Sequence, residues 1–378
     1  MALYEGIALI QEKQAVVLDL GTDYTKFGFT GEAAPRCIVR SEFWCPASRR
    51  YRRVHDYASP DELYDNLVHM LHLLYFRHVL VNPKERKVVV VESLLTPTLF
   101  RETLAKVLFT HYEVSGVIWA DSGRLCALTL GTACALVVTI GAREAEVCAV
   151  VHSCVVLHAL QSQPLGARAV DAELARLLDE HNGAPLNLPD HVIEDIKVKT
   201  CFVIPRARAL QWRSERPPAP ARAARCGRVR VPGRARELCA EPLFARDAER
   251  GSLGDAVLAC LAACPRDARR PLAAGVLLAG GGAALAGLRA RLAAELRYLL
   301  TQPPYSSSLH IDEFKFHSAP AHENACAWLG GAVLGAGDAG AARALPREQY
   351  AREPRLRDWV CLLDNTPPAH PQRDLRDM

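Results

Sequence analysis

Two stretches of this chain share one layout, and that repetition limits the folds open to it. In residues 15–32 (AVVLDLGTDYTKFGFTGE) the apolar run Ala15-Val16-Val17-Leu18 fits a buried strand. Asp19 follows, Leu20-Gly21-Thr22-Asp23 reads as a tight turn, and Thr25-Lys26-Phe27-Gly28-Phe29 alternates as a second strand does. Residues 135–150 (ALVVTIGAREAEVCAV) repeat the plan 120 residues on, with an apolar strand ending at Ile140 and Gly141 in the place of Gly21. One such unit is an ordinary hairpin. Two predict a duplicated α/β fold whose strand-turn-strand arms face one cleft.

A turn of this kind aims backbone N–H groups and the Thr22 hydroxyl at a phosphate, with Lys26 adding charge and Asp19 holding a metal-bound water. The second arm departs from that chemistry. Asp19 is answered by Thr139 and Thr22 by Ala142, whereas a magnesium–nucleotide site wants carboxylates near the ion. The cradle is drawn in outline, and one of its arms offers the metal nothing.

A chain of 378 residues exceeds what one core organises, so two or three domains are expected. Half the residues are hydrophobic and 23% are charged, which excludes a disordered chain, and a net charge of +4 is too small to imply nucleic acid. Thirteen cysteines without a C-x-x-C pair read as reduced thiols of a cytosolic protein. The first residues, MALYEGIALIQEK, lack a basic leader and a small-residue cleavage site. Residues 125–142 and 271–288 are 18-residue stretches without charge, but their glycines and threonines suit a helix and a strand meeting in a core better than a membrane span.

Along the chain, residues 35–57 read as short, basic and irregular. Ser59-Pro60-Asp61-Glu62 is a capping box with proline at the first helical position, continued by Leu63, Leu67, Leu71 and Leu74. His69 and His72 lie three apart on that helix, and without a third ligand they read as a packed or surface pair rather than a metal site. Residues 86–92 (RKVVVVE) and 114–120 read as strands, with a helix opened by Thr96-Pro97 between them. Residues 171–181 and 190–203 read as helices, the second turning Ile193, Ile196 and Cys201 inward.

Between residues 206 and 236 there are ten arginines, four prolines and a single acid. An acidic partner, RNA included, would suit such a stretch, but Trp212 is its only aromatic, and a solvated loop is the simpler expectation. Val276-Leu277-Leu278-Ala279 then runs into Gly280-Gly281-Gly282 and a leucine-striped helix, the arrangement that brings backbone close to a nucleoside or phosphate. No dinucleotide fingerprint, phosphate-binding P-loop or nucleophile elbow occurs. Residues 322–337 read as a buried helix with small residues for close packing, and the Arg/Pro-rich tail as a surface segment.

These residues resemble a known family. Asp19-Leu20-Gly21 with Lys26-Phe27-Gly28-Phe29 and Gly31-Glu32 is similar to the first phosphate loop of actin and its relatives. Gly280-Gly281-Gly282 with Gly287 resembles their adenosine motif, Asp195-Ile196-Lys197-Val198-Lys199 their adenine-side helix, and Trp328-Leu329-Gly330-Gly331 their connecting helix. The likeness covers roughly residues 15–203 and 272–337 and leaves the Arg/Pro segment outside. Longer runs, Leu3-Tyr4-Glu5-Gly6, LYFRHVLVNPKERKVVVVESLL, FRETLAKVLF, EDIKVKTCFV and ELRYLL, resemble the actin-related branch that sits at the pointed end of dynactin.

The resemblance implies an actin-like (ribonuclease-H-like) ATPase fold of two duplicated α/β halves around a nucleotide cleft. Residues 1–134 form the first half, with a shortened small subdomain at about 36–85. Residues 135–337 form the second, with an Arg/Pro-rich insert at about 206–250, and 338–378 a surface tail. It implies a structural subunit of the cytoplasm and cytoskeleton, bound to dynactin's actin-related filament and pointed-end subunits and through them to dynein and cargo adaptors, with no membrane span and no nucleic acid. A cleft of this family takes ATP or ADP, here through Asp19, Gly21, Thr22, Lys26, Gly141, Lys197, Gly280, Gly281 and Gly282.

Departures from the family pattern bear on mechanism. Thr22-Asp23 stands where actin has Ser-Gly, and a carboxylate there repels phosphates. Both aspartates of the second loop are gone, at Thr139 and Ala142; the water-orienting glutamine falls at Ser122, and Val198 replaces the ribose-binding glutamate. We therefore expect weak or absent nucleotide binding, no metal, no catalytic residues and no enzyme activity. Two other readings stand at this point: a working ATPase or sugar kinase of the same fold, and a nuclear actin-related protein using residues 206–236 on nucleic acid.

Overall fold

The computed structural model describes residues 14–46, 48–246, 251–337 and 343–356. The Leu3-Tyr4-Glu5-Gly6 match and most of the tail lie outside the described residues.

The first half is a six-stranded sheet. Strands β1 (Val16–Leu20) and β2 (Tyr24–Phe29) pair antiparallel, with Asp19 opposite Lys26, and β3 (Cys37–Arg40) continues the meander. A separate hairpin, β4 (Glu42–Cys45) with β5 (Arg50–Arg53), stands beside it. On the other flank β6 (Lys87–Glu92) runs parallel to β1, and β7 (Gly116–Asp121) parallel to β6. Helix α1 (Pro60–Leu73) is capped by the Ser59 hydroxyl, which accepts from the Glu62 N–H, and buries Leu63, Leu67, Met70 and Leu71. Helices α2 (Thr98–Lys106) and α3 (Ser122–Leu130) follow β6 and β7, Asp121 capping α3 through the Arg124 N–H.

The second half repeats the plan. Strand β8 (Cys134–Ile140) pairs antiparallel with β9 (Ala145–Val151), and the short β10 (Cys154–Val155) and β11 (Gln161–Gln163) extend β9. Helices α4 (Ala167–Asn182) and α5 (Asp190–Thr200) come next, then α6 (Arg206–Trp212), a hairpin of β12 (Ala224–Cys226) and β13 (Val229–Val231), and α7 (Gly233–Leu238). Helices α8 (Leu253–Ala263) and α9 (Arg266–Ala273) lead to β14 (Val276–Ala279), which lies parallel to β8 as β6 lies parallel to β1. Helix α10 (Leu288–Leu300) buries Leu288, Leu292, Leu296 and Leu299, the stripe expected from the sequence.

The chain then returns to the first half. Helix α11 (Cys326–Ala336) packs on α3 and β1; Trp328 is fully buried and donates its indole N–H to the Val17 carbonyl at 3.2 Å. Side chains at Gly330 and Gly331 would collide with the Leu125 carbonyl and with Val17 and Val91, so the small residues are what let the helix sit this close. Beyond it β15 (Leu345–Pro346) pairs with β7, and Tyr350 and Leu356 are buried. That described part of the tail runs along the surface, mostly exposed, and is anchored there by the edge strand and by Tyr350 and Leu356.

Two expectations are revised. Residues 35–57 hold three strands, because their alternation is disguised by arginines on exposed edges. The arginine-rich stretch is a solvated loop only over residues 213–223, and its flanks are tied down: Glu237, 1% exposed, collects Arg208 Nε at 2.6 Å, Trp212 Nε1 at 2.9 Å and the Ala221 N–H at 2.6 Å. Arg206 pairs with Glu295, Arg213 with Glu241, and Arg234 with Glu180. A stretch rich in one charge folds here because its acids are supplied by flanking elements. No helix among the described residues is long and apolar enough to cross a membrane.

Candidate functional site: a cleft between two strand-turn-strand arms

Strands β1, β6 and β7 of one half and β8 and β14 of the other present their carboxyl ends to a common crevice, where ligands of open α/β sheets bind. Asp19, Gly21, Thr22 and Lys26 are brought together at the first arm. Gly141, Gly280, Gly281 and Gly282 meet at the second, where the Gly280 Cα at φ +86° leaves 2.4 Å between a would-be Cβ and the Ile140 carbonyl. A side chain at Gly282 would likewise meet Ile140 Cγ2 at 2.4 Å. These glycines are required by the close approach of β8 itself.

The polar groups of the crevice are bound to one another. Lys26 Nζ lies 2.9 Å from Asp19 Oδ2 across β1–β2. Lys197, 7% exposed, turns away from solvent to Asp171 at 2.9 Å, while its neighbour Val198 is 72% exposed. The Ser41 hydroxyl donates to the Gly21 carbonyl at 2.6 Å. At the N-terminus of α4, the Ala167 and Arg168 N–H groups donate to the Gly141 and Ala142 carbonyls, each at 2.9 Å, so the second arm caps the helix end that would otherwise attract an anion. Asp23 pairs with Arg168 through both guanidinium nitrogens, one contact being Nε to Oδ2 at 3.3 Å.

These residues do not fit a magnesium–nucleotide. The Asp19 carboxylate is engaged by an ammonium, Thr139 and Ala142 supply no charge, and Asp23 with its guanidinium partner stands at the phosphate turn. Beside the first arm, Thr22, Asp23, Arg40, Ser41, Glu42 and Arg53 line a cavity of about 10 Å³, room for one water. Among the described residues no cluster of histidine, cysteine and carboxylates has the makings of a metal site; His69 stacks on Phe43, and His72 lies tilted against Phe76.

Sequence reasoning missed three residues here. Glu146 sits opposite Thr139 across β8–β9, so the second arm carries an acid on its returning strand besides Glu144 on its turn. It is 6% exposed and accepts from the Ser93 hydroxyl at 2.6 Å; burial raises its pKa above the usual range. Asp121, 2% exposed, is likewise raised by burial, partly offset by the Arg124 N–H. Both are occupied in joining elements. The signals available were an acid just before an apolar helix and a lone acid inside an apolar strand.

His55 is the third. Its ring stacks on Phe100 with centroids 4.8 Å apart, and its buried Nε2 has no hydrogen-bond partner among the described residues. Burial, and then the charges of Arg143 and Arg168, push its pKa down to about 4. An unfolded histidine takes its proton near pH 6.5, so the folded state binds fewer protons between that pH and 4. Stability is complete above that window and falls as pH drops through it. We expect a loss of about 2 kcal/mol between pH 7 and pH 5 from this group, read by urea unfolding at both pH values, and its disappearance in His55→Phe.

The actin family model matches residues 61–208 and 189–353, the second match running through the arginine-rich stretch. Actin-related protein 10 of Dictyostelium discoideum is 24% identical over 401 residues, covering 86% of this chain and 83% of that protein. With the duplicated sheets, the facing arms and a family match across most of its length, this chain belongs to the actin family.

Proposed function

We propose that the chain is a non-hydrolysing structural member of the family, a subunit that ends a short actin-related filament of the dynactin type and holds its pointed-end neighbours. Through that filament it serves dynein-driven transport in the cytoplasm and cytoskeleton. The observation that carries this reading is the self-satisfied cleft: Asp19 on Lys26, Asp23 on Arg168, Lys197 on Asp171. Groups that would hold a triphosphate and its metal are spent on internal structure, which suits a protein used for its shape.

The small subdomain supports a terminal position. Between β3 and α1 it carries one hairpin, β4–β5, where the family likeness implies a longer segment gripping the next subunit. A subunit able to dock on a filament end while offering no grip to another stops growth. The isolated chain is therefore expected to stay in the supernatant when spun under conditions that pellet actin filaments. Affinity capture with the tagged full chain should recover filament and pointed-end subunits of dynactin. Pelleted filaments of the pure chain, or capture that returns none of those subunits, would sink the proposal.

A further inference from the structure

We propose that the two halves are tied shut across the cleft by the protein's own ion pairs, so that closure requires no magnesium–nucleotide. This rests on the reading of the cleft above and names what takes the nucleotide's place as the tie. Three points of contact run from β2–β5 of the first half to the first turn of α4 and the first two turns of α5 in the second. At the turn, Asp23 takes the Arg168 guanidinium. Next, Tyr24 Oη donates to Glu194 Oε2 at 3.0 Å, and Arg40 Nη2 reaches the same oxygen at 2.5 Å. Last, Arg53 Nη2 lies 2.6 Å from Asp190 Oδ2.

The order of these contacts is fixed by the sheet and the helix. Tyr24 and Arg40 are register partners on β2 and β3, and the Arg40 guanidinium lies 5.2 Å from the Tyr24 ring centroid, so both converge on one carboxylate. Asp190 and Glu194 are four apart on α5 and stand one turn above the other near its N-terminus, where a helix favours negative charge. The signs are complementary as well. The first half offers an acid and then two arginines, and the second an arginine and then two acids, so a shifted closure would set like charges together.

Exposure ranks the contacts. Asp23 and Arg168 are 26% and 33% exposed and Glu194 and Arg40 27% and 32%, whereas Asp190 is 81% exposed and its pair adds little. The first two contacts therefore hold the cleft, and added salt loosens them only in part.

Hydrogen exchange on the full chain, stripped of nucleotide and held in EDTA, tests the inference. In the wild type, exchange over residues 24–53 and 190–200 should be slow and unchanged by Mg·ATP. Asp23→Asn combined with Glu194→Gln should speed exchange in both segments about tenfold while β14 and α10 keep their protection. The swap Asp23→Arg with Arg168→Asp should stay near wild type. Protection in the wild type that arises only with Mg·ATP would overturn the inference, as would a double variant that exchanges like the wild type. Should the double variant lose protection in β14 too, the swap decides, and a swap equally unprotected counts against the latch. Phosphate release from the same wild-type sample separates the two proposals, since turnover would end the non-hydrolysing reading while leaving nucleotide-independent closure standing.

Discussion

Given Mg·ATP, the purified full-length chain is expected to release phosphate no faster with protein than without, and EDTA is expected to change nothing. Phosphoryl transfer in this fold needs a positioned water and a metal that neutralises charge on the leaving phosphates. By the likeness to the family, the water-orienting position is expected at Ser122, the first residue of α3, a side chain too short to hold a water at the same place. The second arm gives the metal Thr139 and Ala142, and on the first arm Asp19 is held by Lys26 at 2.9 Å. Loss of the water-orienting group and loss of the metal's carboxylate partners remove two separate contributions to the rate. A malachite-green or coupled-enzyme assay reads the result. One phosphate per chain per minute or faster, abolished by EDTA, would be incompatible with the cleft as described.

Replacing Arg291 should produce the largest loss of stability in the second half. Its side chain is 2% exposed on the inner side of α10, with Nη1 2.8 Å and Nη2 3.0 Å from Glu241, Nε 2.8 Å from Glu295 and Nη1 2.9 Å from the Ile204 carbonyl. The guanidinium also lies 4.5 Å from the Phe244 ring centroid. Arg291→Ala removes the buried cation that joins Glu241 to Glu295 and leaves each acid only its outer partner, Arg213 or Arg206. Breaking a buried pair from one side costs about 3–5 kcal/mol, which should lower the thermal midpoint by about 10 °C in circular dichroism. Arg291→Lys should recover little, because an ammonium cannot span Glu241 and Glu295 with the planar fork that guanidinium provides. A midpoint within 2 °C of wild type for Arg291→Ala, against the roughly 10 °C expected, would show that the network adds nothing.

That arginine also shows where reading the chain in one dimension stops. The stripe Leu288, Leu292, Leu296, Leu299 announces which face of α10 is buried, because apolar periodicity is a local property. Arg291 lies inside that face, and its one local partner, Glu295 four residues on, reads as an ordinary surface pair; the contacts that bury it come from residues 241 and 204, distant in sequence. The arginine-rich stretch failed to read as structure for the same reason. Its organising acid, Glu237, lies just past the stretch, and Glu180 and Glu295 farther away. His55 and the strands around it went unseen because exposed edge strands carry arginines on alternate positions, which blurs the period-two pattern.

The sequence by itself determined the repeated arms, the strand-to-glycine approaches at Gly21, Gly141 and Gly280, the Ser59 cap and the helix of small residues ending at Ala336, because each depends on neighbours within a few positions. It also showed that the second arm had lost its aspartates. Only the tertiary structure decided what the remaining polar groups do. Asp23 was expected to repel phosphates, and in the fold it grips Arg168, 145 residues away. Glu194 was an unremarked acid on a helix, and it receives Tyr24 and Arg40 from the opposite half. Charges take their meaning from what stands within a few ångströms, and that is set by how the two halves pack.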